Sequence, residues 1–306
     1  MKGKFLSPAV SIFDKKGRLD REDNHRLYEH MKNGGISGFV IMGSTGEFYG
    51  MSLEECKSLI DIASDFPKGD MLVLSGASRM KVDESVMLSN YTYDKGLDGS
   101  MIISPYYAPL SQENVFDFYS RIASKTRSDI YIYNYPARTG YSIEPGTVLR
   151  LLEKFENIKG IKDTILDMFH TCDLIREIKP RFPNFEVYSG YDNNFAHNVL
   201  SGGNGCIGAL SNIAPHLFSG WIEAMEALDL SAVAGFQRKV DEMMDIYKIG
   251  GSFIPIIKKA LSLMGIIRSG VSLAPLEEPG EKESSKVRDL LISMGIITEI
   301  KTAKTE

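Results

Sequence analysis

The sequence predicts an α/β protein, a (β/α)8 TIM barrel with a C-terminal helical appendage. Eight apolar segments of strand length recur along the chain, and stretches with helical spacing lie between them. Ile103, Ile132 and Ile161 are spaced 29 residues apart. An alternation of strand and helix at this period gives right-handed crossovers and a parallel sheet, and eight such units close most simply into a barrel. An open, doubly wound sheet is the alternative.

The predicted strands are short and rich in β-branched and aromatic residues, a composition typical of buried parallel strands. Between them, Ser52 and Ser111 stand where N-cap residues are expected, directly before two segments with helical periodicity. The predicted strands are residues 5–11, 38–42, 71–75, 101–103, 130–133, 158–161, 185–188 and 206–210, and the predicted helices include residues 52–64, 82–95, 112–125 and 145–154.

Two structural regions are expected. Residues 1–230 are predicted to form the catalytic barrel, because the strand signal ends near Ala232. Residues 231–306 are predicted to form a helical extension packed on the barrel, with amphipathic stretches at 233–247, 254–264 and 286–294. The chain has 306 residues and 43% apolar content, which suffices for a large core.

Composition and charge exclude several classes of partner. The net charge of -5 and the lack of a basic cluster argue against nucleic-acid binding. No apolar stretch is long enough to span a bilayer, so we expect no membrane partner and a cytoplasmic location. Cys56, Cys172 and Cys206 lie far apart, and the five histidines lack metal-binding spacing. We therefore expect neither metal nor cofactor, and small-molecule substrates.

The candidate catalytic residues follow the predicted strands, because barrel enzymes carry reactive groups at the carboxyl ends of their strands. Lys162 stands where the strand at 158–161 gives way to polar residues. Partial desolvation there favours the neutral, nucleophilic amine that a Schiff-base enzyme requires. The alternative is a lysine that extends its head into solvent. Tyr133 ends the neighbouring strand, and this favours the catalytic interpretation.

A second candidate feature is the turn Gly43-Ser44-Thr45-Gly46, which follows the second predicted strand. Two hydroxyls between glycines, with exposed backbone N–H groups, form a suitable cradle for a carboxylate. The alternative is a simple turn with capping hydroxyls.

Three motifs, in this order and at this spacing, resemble the dihydrodipicolinate synthase / N-acetylneuraminate lyase family of pyruvate-dependent class I aldolases. They are GSTGE at 43–47, YNYPARTG at 133–140 and GIKDT at 160–164. The resemblance covers nearly the whole chain. It implies that Lys162 forms a protonated imine with pyruvate and that Tyr133 relays protons.

The resemblance also implies roles for residues that bind substrate or complete the site. Ser44 and Thr45 match the groups that hold the pyruvate carboxylate, and Gly190 and Ile207 match positions that line the pyruvate pocket. Tyr107 matches a tyrosine that reaches across a tight dimer into the neighbour's proton relay. The resemblance therefore implies a homotetramer, a dimer of dimers. The alternative for Tyr107 is simple interface packing.

The second substrate is left open between two subgroups of the family. Arg138 matches the arginine with which dihydrodipicolinate synthases bind the carboxylate of aspartate semialdehyde, and a guanidinium fork suits that anion. Phe48, the single threonine Thr45 and the turn Ser189-Gly190-Tyr191-Asp192 look more like the 2-keto-3-deoxy sugar-acid aldolases. We lean slightly towards an aldolase.

Two further expectations concern specificity and the loss of catalysis. Tyr191, Asp192 and Asn212 are candidates for contacting substrate hydroxyls. A catalytically silent binding or regulatory protein is a further alternative, but such a protein has no need of a partly buried amine beside a phenol.

Overall fold

Eight parallel strands close into a barrel in which each strand pairs with the next and β8 pairs with β1. The computed structural model describes residues 2–298. The closed barrel confirms the predicted fold and rules out the open sheet. The strands are β1 Lys4–Pro8, β2 Gly38–Ile41, β3 Leu72–Gly76, β4 Gly99–Ile103, β5 Ile130–Asn134, β6 Ile158–Asp163, β7 Glu186–Ser189 and β8 Gly205–Ile207.

The register between strands agrees with the sequence repeat at one position and departs from it at another. Ile132 pairs with Ile161, as their spacing predicts. On the other side of β5, Ile132 pairs with Ile102 and not with Ile103. The expectation that Ile103 is the position matching Ile132 is therefore wrong by one residue. As a result, Tyr133 pairs with both Ile103 and Lys162.

The helices lie between the strands and after β8. Helix α2 begins where expected, because Ser52 and Glu55 form a reciprocal capping box at its first turn. Ser111 caps α4 by accepting from the Asn114 amide. The helices up to β8 are α1 Arg21–Asn33, α2 Leu53–Ser64, α3 Val82–Asp94, α4 Gln112–Ala123, α5 Pro136–Thr139, α6 Pro145–Leu152, α7 Phe169–Ile178 and α8 Phe195–Leu200; α9 Pro215–Glu226, α10 Leu230–Met243, α11 Phe253–Leu263 and α12 Glu281–Ser293 follow β8.

The last helices form the C-terminal appendage. Helix α10 packs against α9, and α12 packs against α11. Arg268, which follows α11, anchors this part to α1: its backbone amide and its Nε lie 2.7 and 2.9 Å from the buried carboxylate of Asp23. Residues 299–306 of the predicted extension lie outside the described residues. Within residues 2–298, no helix combines the length and the apolarity needed to cross a membrane.

A buried side chain also connects the segments that follow β1 and β8, which pair through their backbones. Asn212 is fully buried, donates to the carbonyls of Pro8 and Ala209 at 3.1 and 2.9 Å, and accepts from the Val10 amide at 3.1 Å. These contacts use its amide group within the fold. The expectation that Asn212 contacts substrate hydroxyls is therefore wrong, because backbone groups at the end of β1 already occupy it.

Candidate active site

A cavity of about 890 Å³ opens where the carboxyl ends of the strands converge. A cavity of this size accommodates a small organic acid together with a second reactant. The residues at or just after strand ends that line it are Pro8, Ser44, Thr45, Ile103, Tyr133, Lys162, Thr164, Gly190, Tyr191, Asp192, Ile207 and Ala209.

Lys162 lies at the floor of this cavity, one residue before the end of β6. Its residue surface is 5% exposed, and its Nζ lies 4.7 Å from the centroid of the Tyr133 ring. Among residues 2–298 no carboxylate forms an ion pair with it, whereas Lys258, the other buried lysine, is paired with Glu47. An amine without a counter-ion in a largely desolvated place is suited to nucleophilic attack on a carbonyl carbon.

Tyr133 connects Lys162 to the turn after β2. Its phenolic oxygen lies 3.4 Å from the Ser44 Oγ, at the long end of a hydrogen bond. Ser44 is half-buried and Thr45 is buried, and both line the cavity. The structure thus brings together the four residues Lys162, Tyr133, Ser44 and Thr45 that the sequence analysis selected.

The turn that carries Ser44 and Thr45 has an unusual backbone. Residues Ser44–Gly46 form a short 3-10 turn, and Met42, two residues before it, and Glu47, directly after it, have positive φ values of 53° and 58°. Such conformations are disfavoured for residues with a Cβ, and they concentrate at functional sites. The turn is held from below by Ser11, whose hydroxyl donates to the Gly46 carbonyl at 2.7 Å.

Asn134 and Asp163, the residues that follow Tyr133 and Lys162, are hydrogen-bonded to each other on the outer side of the barrel. Successive residues of a strand face opposite sides, so Asn134 and Asp163 point away from the cavity. The buried Asp163 carboxylate accepts from Asn134 at 2.7 Å, from the Thr171 hydroxyl at 2.6 Å and from His170 Nδ1 at 2.9 Å. This network ties β5 to β6 directly beside Tyr133 and Lys162, and so restrains their relative position.

Gly190 and Ile207 complete the floor beside the lysine. A Cβ at residue 190 would overlap the side chain of Thr164, so glycine is required there. The Thr164 hydroxyl is buried with no hydrogen-bond partner among the described residues, and it lines the cavity. Ile207 of β8 provides a buried apolar surface in the same cavity.

Arg138 and Tyr107 lie further from the reactive centre. Arg138, in α5, is exposed at the cavity mouth, and its guanidinium carbon lies 5.8 Å from the centroid of the Tyr135 ring. Tyr107 is 91% exposed, and its neighbour Tyr106 is the one of the two that lines the cavity. A single chain therefore does not bring Tyr107 to Tyr133.

The appendage supplies part of the cavity wall, which no pattern in the sequence predicts. Tyr247, Lys248 and Phe253 all line the cavity. The Tyr247 hydroxyl donates to the buried Asp192 carboxylate at 2.6 Å. These residues are remote in sequence from the strand ends, and no motif marks them. In this part of the cavity, only the polar turn that contains Asp192 is recognisable from the sequence as a candidate site.

Asp192 is a buried acidic residue that lines the same cavity as Lys162. Burial raises its pKa to about 6, and the hydrogen bonds from Tyr247 and the Leu210 amide offset only part of that effect. The residue therefore changes its protonation state near neutral pH. Among the described residues, no cluster of three or more His, Cys, Asp or Glu side chains has a metal-binding arrangement.

A closed barrel with an unpaired lysine at the carboxyl ends of its strands, beside a tyrosine, has the architecture of class I, Schiff-base aldolases. Comparison with known proteins supports the same class of enzyme. The sequence profile of the dihydrodipicolinate synthetase family matches residues 1–294. The chain therefore belongs to this family, and it is a pyruvate-dependent lyase of the class I type.

Individual relatives fall in two subgroups. The chain is 33% identical to an Escherichia coli protein named "Probable 2-dehydro-3-deoxy-D-pentonate aldolase YjhH", over 95% of this chain and 97% of that protein. It is 29% identical to the 4-hydroxy-tetrahydrodipicolinate synthase of Thermotoga neapolitana, over 95% and 99% of the two chains. The structure of Escherichia coli YagE in complex with pyruvate superimposes with a TM-score of 0.93 at 29% identity, covering 96% of this chain and 99% of that one.

The network around Asp163 predicts a pH-dependent contribution to stability. Burial disfavours the His170 imidazolium, but the hydrogen bond and charge of Asp163 outweigh this and raise the pKa of His170. A raised pKa in the folded state stabilises the protein at low pH, and this contribution is lost as the pH rises through the folded pKa. His170→Gln should therefore cost more free energy of unfolding at pH 5.5 than at pH 8.5.

The measurement is urea unfolding of wild type and variant at both pH values. His197→Gln, which changes an exposed histidine outside the Asp163 network, is the control. A cost of His170→Gln that does not change with pH contradicts the assignment.

Proposed function

We propose that the protein is an aldolase that cleaves 2-keto-3-deoxy sugar acids to pyruvate and an aldehyde through an imine on Lys162. The observation that carries the proposal is the unpaired, buried amine of Lys162 beside the Tyr133 ring. The names of relatives such as YjhH support the choice of substrate class.

The reaction follows from the placement of these groups. The Lys162 amine attacks the C2 carbonyl, and the resulting carbinolamine loses water to give a protonated imine. Tyr133 gives its proton to the hydroxyl that leaves the carbinolamine as water, and the resulting phenolate takes the proton of the C4 hydroxyl while the C3–C4 bond breaks, which releases the aldehyde. The electron pair of that bond passes to the imine as an enamine. Protonation at C3 and hydrolysis then release pyruvate and regenerate the amine.

Different parts of the cavity bind different parts of the substrate. Ser44 and Thr45 hold the carboxylate, while Gly190 and Ile207 shape the floor around the C2 and C3 atoms. Thr164 and Asp192 line the cavity beyond Lys162 and offer a hydroxyl and a carboxyl to the hydroxyls of a sugar acid. A cavity of about 890 Å³ leaves room for such a chain beyond pyruvate.

The second candidate is a 4-hydroxy-tetrahydrodipicolinate synthase that condenses pyruvate with aspartate semialdehyde. Arg138 favours it, because an exposed guanidinium at the cavity mouth suits the carboxylate of that aldehyde. The synthase from Thermotoga neapolitana is among the relatives. A silent binding protein is disfavoured, because the Lys162 amine and the Tyr133 phenol are both retained.

We also propose a cytoplasmic homotetramer in which residues 1–230 form the catalytic barrel and 231–306 the extension. Tyr107 supports the assembly: an aromatic side chain 91% exposed next to the cavity mouth is suited to enter a neighbour's site. Leu166 and Phe169, 80% and 82% exposed before and at the start of α7, are suited to a second interface. No metal or cofactor is needed for the proposed chemistry.

Borohydride trapping tests the pyruvate half of the reaction. Wild-type protein reduced in the presence of pyruvate should gain one pyruvate-derived adduct, located on Lys162 by peptide mass spectrometry. Lys162→Ala should gain none, while Lys159→Ala, which changes an exposed lysine of the same strand, should behave as wild type. An adduct on another residue, or one that persists in Lys162→Ala, contradicts the mechanism.

Turnover assays choose between the two second substrates. Wild type should cleave 2-keto-3-deoxygluconate or 2-keto-3-deoxypentonate faster than it condenses pyruvate with aspartate semialdehyde. If the synthase reaction dominates instead, Arg138→Ala should reduce its kcat/KM by an amount equivalent to about 2 kcal/mol, the value of a charged hydrogen-bond pair. Synthase activity above aldolase activity in the wild type overturns the aldolase proposal and leaves the pyruvate mechanism intact.

A further inference from the structure

A buried ion pair connects the appendage to the turn that carries Ser44 and Thr45. Lys258 of α11 and Glu47 are both fully buried, and the ammonium donates to the Glu47 carboxylate. The ammonium also donates to the Val271 carbonyl at 2.8 Å, and the second carboxylate oxygen accepts from the Leu273 amide at 2.7 Å. Lys258 and Leu273, which donate to the Glu47 carboxylate, belong to α11 and to the segment after it, so the turn is fastened to the appendage.

Glu47 sits at a position where its backbone requires support. It has φ 58° and ψ 29°, a left-handed conformation, between the 3-10 turns Ser44–Gly46 and Phe48–Gly50. That conformation is unfavourable for a residue with a Cβ and persists only where the surroundings hold it. The side-chain contacts of Glu47 with Lys258 and Leu273 provide that support. Together with the Ser11 hydroxyl, which donates to the Gly46 carbonyl, they hold the turn that carries the two hydroxyls.

A purely structural anchor does not account for two buried charges. Removing two charged groups from water is costly, and apolar side chains of similar volume often hold a core equally well. The appendage is also already anchored to the barrel by Arg268, which contacts Asp23 in α1 at a place outside the cavity. The charges at Glu47 and Lys258 are therefore expected to act on the neighbouring turn.

We propose that Lys258 is a positioning residue for the substrate carboxylate, acting through Glu47 on the turn that carries Ser44 and Thr45. Lys258 also neutralises Glu47, so that no uncompensated negative charge lies under the site where the carboxylate binds. This inference rests on the proposed function, in which that turn holds the carboxylate. It assigns a role in substrate binding to a residue of the appendage that does not line the cavity.

The test measures the pyruvate concentration that half-saturates borohydride trapping. In Lys258→Met this concentration should rise by about tenfold, the effect expected when an anion loses a well-placed donor. The amount of adduct at saturating pyruvate should stay close to that of wild type, because Lys162 and Tyr133 are untouched. A loss of fold would lower the saturating amount as well, so this split separates positioning from general damage.

Two further variants make the test decisive. Arg268→Ala is the matched control: it removes a charged anchor of the appendage, and it should lower Tm without moving the half-saturating concentration. Glu47→Gln keeps the side-chain length, and it should raise that concentration by about threefold, because one amide oxygen replaces a carboxylate that serves two donors. If Lys258→Met does not fold, the half-saturating pyruvate concentration of Glu47→Gln tests the inference instead.

The outcomes separate the two proposals. A folded Lys258→Met with a half-saturating concentration within twofold of wild type overturns this inference alone, as does an equal rise in Arg268→Ala. If Lys258→Met does not fold, an unchanged Glu47→Gln overturns it. A wild-type protein that forms no adduct contradicts the proposed function, and this inference fails with it.

Discussion

The pairing of β5 with β6 places Tyr133 directly beside Lys162, and the rest of the site depends on that register. A shift of either strand by one residue would turn its own reactive side chain, Tyr133 or Lys162, to the outer face of the barrel. The neighbouring pair, Asn134 and Asp163, is joined by a hydrogen bond of 2.7 Å on that outer face. The same two strands therefore provide the reactive groups on one side and the network that holds them on the other.

The reactive pair alone does not make a binding site, and the chain supplies the remainder from distant segments. The turn after β2 contributes Ser44 and Thr45 in a backbone conformation that needs external support. The appendage provides that support through Lys258 and lines the cavity through Tyr247, which also donates to Asp192. The buried carboxylate of Glu47 is satisfied from the appendage, and that of Asp192 by Tyr247 of the appendage together with the Leu210 amide of the barrel.

Local patterns explain what was predictable from the sequence. The strands and the Ser52 cap depend on neighbouring residues, and Lys162 and Tyr133 stand at equivalent points of a repeat. The ion pair between Glu47 and Lys258 was not predictable, because the two residues are 211 positions apart and no sequence pattern links them. Asn212 was wrongly assigned to substrate because its polar side chain follows a strand, where catalytic groups and backbone braces look alike in sequence.

The central claim is that a single cavity holds a pyruvate carboxylate at one end and forms an imine with its C2 atom at the other. A crystal structure of the protein soaked with pyruvate tests both parts together. The account predicts continuous density from Lys162 Nζ to C2, with the carboxylate on Ser44 and Thr45 and the Tyr133 hydroxyl nearby. Pyruvate bound elsewhere, or an unmodified Lys162 beside an ordered pyruvate whose carboxylate faces Arg138, would contradict it.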